Sequence, residues 1–305
     1  MNTYIIIVTY NAMQWIEKCL ASIPVTYPIV IIDNNSSDST LKFIETHHPR
    51  VKIFKQQKNL GFGAANNIGL TYALSKEAES VFLMNQDVYL RPNTISKIAD
   101  ISRENYEYGI LSPIHLNGKG NRLDRNFSLY LNYDSNNDFY SDAIFNQLNG
   151  VYQVPFVNAA AWYIPKRILK SVGGFDPIFF HYGEDNNYCQ RIHYHGFKVG
   201  VVADTFVMHD RQDREVNNIK IFTEEFLKKK ERHFKNQIAN PNNNDYQRHW
   251  LLIKRGDYKK MLISLLKGNY KNFLGYKRLL NFRILWFKQC EKSREEVISL
   301  KSHYL

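Results

Sequence analysis

The sequence predicts an α/β protein in which a mostly parallel central sheet is flanked by helices and followed by a basic helical extension. Three observations predict it. Apolar, β-rich runs alternate with amphipathic segments through the first hundred residues, the order that lays parallel strands side by side under helices. Each run ends on polar residues, where ligands bind in sheets of this kind. Past Asn217 the chain changes to basic amphipathic helices.

Taken in order, strands are expected at Tyr4 to Thr9, Ile29 to Asp33, Val51 to Lys55 and Val81 to Met84. Helical spacing covers Ala12 to Ser22 and Ser39 to His47, and Gly63 to Ser75 is rich in small residues after a glycine loop. This is the outline of a nucleotide-binding half-fold. Asn117 to Gly150 is rich in Asn, Asp, Ser and Tyr with weak periodicity, so a long loop is expected there. The run Pro155 to Ile164 follows, then a helix from Pro165 to Val172, the turn Gly173-Gly174-Phe175-Asp176, and a strand from Phe197 that ends near His209. Asn240-Pro241-Asn242-Asn243-Asn244 breaks the helical region in two.

Composition narrows the class. A chain of 305 residues with 44% hydrophobic and 23% charged residues is globular and long enough for a catalytic domain and an appendage. The cysteines, Cys19, Cys189 and Cys290, are odd in number and lack CxxC spacing, which argues against a disulfide framework or cysteine-bound zinc and fits a reducing, cytoplasmic compartment. The apolar run Tyr4 to Val8 has no basic flank or cleavage site and reads as a buried strand. The net charge of +11 is uneven: from Lys220 onward there are 20 Lys and Arg against 8 Asp and Glu, whereas residues 1–219 hold 20 against 21.

Five segments carry chemistry. Ile31 to Asp38 places Asp33 at a strand end, where a carboxylate can accept hydrogen bonds from a nucleobase or ribose, or form the turn, while Ser37 and Asp38 read as helix caps. Asn59 to Gly69 lets backbone approach an anion at a helix start, though most such turns only satisfy sterics. Asn85-Gln86-Asp87 ends a buried strand, and Asp87 could hold Mg²⁺ or Mn²⁺ against a diphosphate, since these cations need only one or two protein carboxylates; a lone Asp there is otherwise a turn former. Gly183-Glu184-Asp185 opens a helix that also carries Arg191; the acids either complement the helix dipole or provide the base that a hydroxyl nucleophile needs. His209 follows a strand, as a structural residue or a ligand.

Together, and in this order, Val8-Thr9-Tyr10-Asn11, Ile32 to Asp38, Asn59 to Asn66, Asn85-Gln86-Asp87-Val88 and Gly173-Gly174-Phe175-Asp176 with Gly183-Glu184-Asp185 resemble glycosyltransferase family 2, especially its rhamnosyltransferase-like members. The resemblance implies a GT-A catalytic domain over residues 1–215, with a nucleotide-binding half to residue 100 and an acceptor half from 101, then a helical region over 216–305. It implies that Thr9, Tyr10, Asn11 and Asp33 line the base and ribose pocket, that Asn66, Asn85, Gln86 and Arg191 support donor binding, and that Asp87, with His209, holds the metal. Asn85 stands where the family's DxD motif has its first Asp. Asp185 matches the general base, with Glu184 the alternative. The implied reaction is inverting transfer of a single sugar from a nucleoside-diphosphate donor, dTDP-rhamnose-like or a UDP sugar, to a glycan or lipid-linked acceptor of the cell surface.

The basic, aromatic tail fits an anionic membrane surface, which places the protein peripherally on the inner face of the plasma membrane, or else consists of ordinary solvated helix faces. A sugar-1-phosphate nucleotidyltransferase is a rival reading, but Ile7 to Asn11 lacks the glycine-rich basic phosphate loop. A nucleic-acid-binding module would use the basic tail and leave the acidic front half unexplained, so no nucleic-acid partner is expected.

Overall fold

The computed structural model describes residues 2–131, 133–134, 136–211 and 219–305. The elements run β1 (Thr3–Thr9), α1 (Ile16–Ala21), β2 (Ile29–Asp33), α2 (Thr40–His47), β3 (Lys52–Lys55), α3 (Phe62–Ser75), β4 (Ser80–Asn85), β5 (Val88–Leu90), α4 (Thr94–Glu104) and β6 (Tyr108–Asn117). Then come α5 (Arg125–Ser128), α6 (Asn137–Ile144), β7 (Val151–Val154), β8 (Ala161–Pro165), α7 (Lys166–Ser171), α8 (Glu184–Tyr194) and β9 (Lys198–His209). Three long helices follow, α9 (Glu224–Ile238), α10 (Tyr246–Leu266) and α11 (Tyr270–Val297). The chain forms two compact units, Met1–Gln212 with Leu300–Leu305, and Asp213–Ser299. The boundary expected at 215/216 lies outside the described residues.

In the first unit the described residues form one nine-stranded sheet in the order β3-β2-β1-β4-β8-β6-β9-β5, with β7 also on β9. Strands β1 to β4 run parallel, β8 runs antiparallel to β4 and β6, and β9 returns to the common direction beside β6. The sheet is therefore mixed and mostly parallel, as expected. Strand β1 reads Thr-Tyr-Ile-Ile-Ile-Val-Thr because both its faces are covered. Ile6 joins Val30, Ile32, Val81 and Leu83 in one core, while Ile5 and Ile7 join Ile31, Phe82 and Met84 in the other. Each fully buried Ile contributes about 1.5–3 kcal/mol.

Two expectations are corrected. Helix α1 begins at Ile16 rather than Ala12, because Asn11 is left-handed at φ 50° and the Ala12 N–H donates to the Thr40 hydroxyl at 2.7 Å. The segment 117–150 is no structureless loop. It holds α5 and α6, capped by the Asp124 and Asn136 side chains, which accept from the N–H groups of Phe127 and Phe139, and Phe127, Leu131 and Phe139 are buried in the core. The Asn, Asp, Ser and Tyr that fill this segment hide the hydrophobic period of these helices.

The second unit is a three-helix assembly around Phe234, Trp250 and Trp286, whose rings lie 5.6 and 6.0 Å from Phe234. The Asn-rich break separates α9 from α10, and Arg294 closes it by donating to the carbonyls of Asn240 and Asn243. No helix among the described residues is long and apolar enough to cross a membrane.

Candidate active site

The carboxyl ends of β1 and β2 meet in a tight hydrogen-bonded corner. Thr9 pairs with Asp33 across the parallel strands, and its hydroxyl donates to Asp33 Oδ1 at 3.0 Å. Ser36 donates its hydroxyl to the same oxygen at 2.5 Å and its N–H to Oδ2 at 2.9 Å. Asp33, 1% exposed, thus receives three donors from its own chain out of roughly four acceptor positions on a carboxylate. Asn11 holds the same loop: its Oδ1 accepts from the Ser37 N–H at 2.8 Å, and its own N–H donates to the Ser36 hydroxyl.

Tyr10 is exposed, and its backbone is gripped on both sides by Gln86, which accepts from the Tyr10 N–H at 2.8 Å and donates to the Tyr10 carbonyl at 3.2 Å. The turn after β4 is thereby locked to the end of β1. Asn34 ties in the glycine loop, accepting from the Leu60 N–H at 2.7 Å and donating to Asn59 Oδ1 and the Gly61 carbonyl. Gly61 sits at φ 84°, and a Cβ there would lie 1.8 Å from the Phe180 carbonyl oxygen, so only glycine lets this loop reach the segment before α8.

Asp87 follows β4 in the turn to β5, partly exposed, and its Oδ1 lies 3.5 Å from His209 Nε2. Pairing of β5 with β9 sets Val88 opposite His209, which brings the two together. Behind His209 stands the fully buried His115, at 5.9 Å between ring centroids and stacked on Phe127. Burial first, then the neighbouring His209 and Arg211, holds His115 well below the usual histidine range, so it is neutral. Arg211 in turn forms a two-nitrogen ion pair with Asp124.

The other side of the site is the start of α8. Burial raises the Asp185 carboxyl above the usual range, opposed by the N–H groups of Asn186, Asp185, Gly183 and Ala159. Ala159 belongs to a short bridge before β8, and the next residue, Ala160, accepts at its carbonyl from the Asn85 N–H at 2.9 Å. One bridge thus fastens the β4 end, which carries Asp87, to the start of α8, which carries Asp185. Tyr130, pushed up to about 12 by burial and by the Asp185 charge, comes from the segment expected to be a loop.

Not every expected residue points into this space. Asn66 is 1% exposed and donates back to the Phe62 carbonyl within α3. Arg191 is fully buried, donating to the carbonyls of Val172 and Gly174 with its guanidinium over Tyr188, so it supports the site through the Gly173-Gly174 turn. Glu184 is 4% exposed. Sequence reasoning missed Asn34 and Asn67. The Asn67 amide grips the Phe175 backbone both ways, at 2.7 and 2.8 Å. Each stands beside a residue that was singled out, and a doubled Asn at a turn or helix start was the available signal. The bridge at Asn158 to Ala160 works through backbone alone and left none.

Comparison with known proteins decides the family. The profile of Glycosyl transferase family 2 matches residues 4–172, over half of the chain. The chain belongs to glycosyl transferase family 2. It is 25% identical over 221 residues to the dTDP-rhamnosyl transferase RfbF of Shigella flexneri, covering 70% of this chain and 71% of that one. It is 28% identical over 130 residues to the poly(ribitol-phosphate) β-N-acetylglucosaminyltransferase TarS of Staphylococcus aureus, covering 39% of this chain and 22% of TarS. Among solved structures, TarS residues 1–349 with UDP-GlcNAc superposes with a TM-score of 0.53 at 16% identity, over 97% of this chain and 91% of that one. GalNAc-T7 with UDP, GalNAc and Mn²⁺ gives 0.59 at 14% identity, and this chain spans about half of it, 51%, with 84% of its own length. The structural likenesses establish a GT-A-like fold. This glycosyltransferase family 2 enzyme takes its sugar from a nucleotide-sugar donor.

Proposed function

We propose that this enzyme is a non-processive, inverting glycosyltransferase that moves one sugar from a nucleoside diphosphate to a glycan or lipid-linked acceptor in cell-surface polysaccharide synthesis. The observation that carries the reading is the bridge at Ala159 and Ala160, which builds the Asp185 base and the Asp87 turn onto one backbone support. Asp185 takes the proton of an acceptor hydroxyl, the oxygen attacks the anomeric carbon in line, and the bond to the diphosphate breaks with its electron pair on the leaving oxygen. One displacement inverts the centre and needs no covalent intermediate. Glu184 is the alternative base, and its carboxyl is less accessible to an acceptor than that of Asp185. Thr9, Tyr10, Asn11 and Asp33 form the corner for base and ribose, and Gln86 fixes its backbone.

The donor class is dTDP-rhamnose-like or a UDP sugar. The first is supported by likeness to RfbF, the second by likeness to TarS with its UDP-GlcNAc. A metal fits the residues present. Among the described residues no group of three or more His, Cys, Asp and Glu side chains could hold a cation. A hard cation that draws most of its shell from diphosphate oxygens and water needs only one or two protein ligands, and the pair of Asp87 and His209 provides two. Asp87 and His209 would hold Mg²⁺ or Mn²⁺, which would supply charge neutralisation for a departing diphosphate. GalNAc-T7 was crystallised with Mn²⁺, which supports that choice. The same reading puts the enzyme in the cytoplasm, peripheral to the plasma membrane through its basic region from Lys220 onward.

Calorimetric titration of dTDP, UDP and GDP, with and without Mn²⁺, into wild type and Asp87→Ala tests the reading. One nucleotide binding in a Mn²⁺-dependent way, and weakly or not at all to the variant, is expected. Failure of all three to bind overturns it.

A further inference from the structure

Helix α10 is built in reverse for a helix in water. Its inward line is Trp250, Asp257 and Ser264, seven residues apart and all buried, with Asp257 held at 2.5 Å by Arg283 of α11. Its outward line is Leu251, Tyr258, Leu262 and Leu266, exposed by 52, 51, 58 and 78%, with Leu252 and Leu265 alongside at 55 and 51%. Single exposed leucines are ordinary, but a stripe of them running about four turns along one helix faces something other than water. Arg248, Arg255 and Lys259 are exposed among these leucines, and the acid of this helix, Asp257, is turned inward.

We propose that the outward face of α10 is a docking surface for an anionic lipid bilayer. The inference deepens the peripheral-membrane part of the proposed function and rests on it, by assigning the contact to one helix face rather than to the basic region at large. Leucines enter the boundary between headgroups and acyl chains, Tyr258 stays at headgroup depth, and Arg248, Arg255 and Lys259 meet lipid phosphates. A second copy of the chain is the poorer occupant. A two-fold contact through this face would set its cations against the same cations, with no carboxylate between them.

The test uses the full chain and extruded vesicles of phosphatidylcholine alone or mixed with phosphatidylglycerol. Wild type is expected to sediment with the phosphatidylglycerol vesicles, weakly with phosphatidylcholine, and less as salt rises. Joint replacement Leu262→Gln and Leu266→Gln lowers vesicle partitioning about a hundredfold, and Arg255→Glu with Lys259→Glu lowers it more than about tenfold. Both pairs lie on an exposed face, so thermal unfolding and nucleotide titration stay as in wild type. Wild type that ignores both vesicle types, or paired variants that bind like wild type, overturns the proposal. So does a wild-type dimer that the leucine variants dissolve while vesicle uptake is unchanged. Absent vesicle binding with intact nucleotide titration strikes the α10 surface alone, whereas absent nucleotide titration strikes the proposed catalytic function.

Discussion

Asp33 and Asp185 each stand at the end of an element beside a polar loop, yet their surroundings are opposite. Asp33 receives side-chain and backbone donors from Thr9 and Ser36, which satisfy its charge and fix the corner between β1 and β2. Asp185 is opposed by burial and stabilised only by backbone N–H groups, so its carboxyl sits above the usual range. A carboxylate held by side-chain hydroxyls of its own chain is a strut, and one that burial raises above the usual range is suited to take a substrate proton.

The largest way to break that contrast is Asp185→Asn. Steady-state kinetics is expected to show kcat falling about 10²- to 10⁴-fold with nucleotide binding retained; an unchanged kcat would transfer the base role to Glu184. Asp87→Ala comes next, weakening Mn²⁺-dependent nucleotide binding about a hundredfold in calorimetry while nucleotide binding without metal is little changed. Asp33→Ala acts on the frame instead. It leaves the Thr9 and Ser36 donors unsatisfied and costs about 1–3 kcal/mol in denaturant unfolding, and Asn67→Ala, which frees the Phe175 backbone, falls in the same range.

The smallest effect is in pH. As the proposed base, Asp185 acts in its ionised form, so the acid limb of kcat/KM is expected above the ordinary carboxylate range. The folded protein binds this proton more tightly than the unfolded chain does. Wild-type stability therefore falls, relative to Asp185→Asn, as pH rises from the ordinary carboxylate value through the raised one. Equal slopes for the two proteins in that window would remove the contrast with Asp33.

The strands were legible because β1, β2 and β4 are uninterrupted apolar runs ending in Thr9, Asp33 and Asn85, and doubly covered strands leave that trace. Pairing of Asp87 with His209 was legible only as a list of ligand types. Their approach depends on β5 lying antiparallel to β9, a contact between residues far apart in sequence. Asn66 and Asn67 mark the limit of motif reading: adjacent amides, one bonded to its own helix and the other to a turn more than a hundred residues away. In α10, hydrophobic count suggested an ordinary amphipathic helix, and only burial tells which side the leucines take.

Leu300–Leu305 returns to the first unit after the long helices, where the Lys301 N–H donates to the Ser171 carbonyl and the Gly174 N–H to the His303 carbonyl. A Cβ on Gly173 would lie 2.2 Å from that His303 oxygen. In chain-statistical terms, the second unit is an excursion between two segments of the first, which resumes at Leu300. Closure entropy grows only with the logarithm of loop length, about 0.6 kcal/mol per doubling. Helices in that excursion can lengthen or shorten at little cost to the fold that carries Asp185, provided the closing stitches stay.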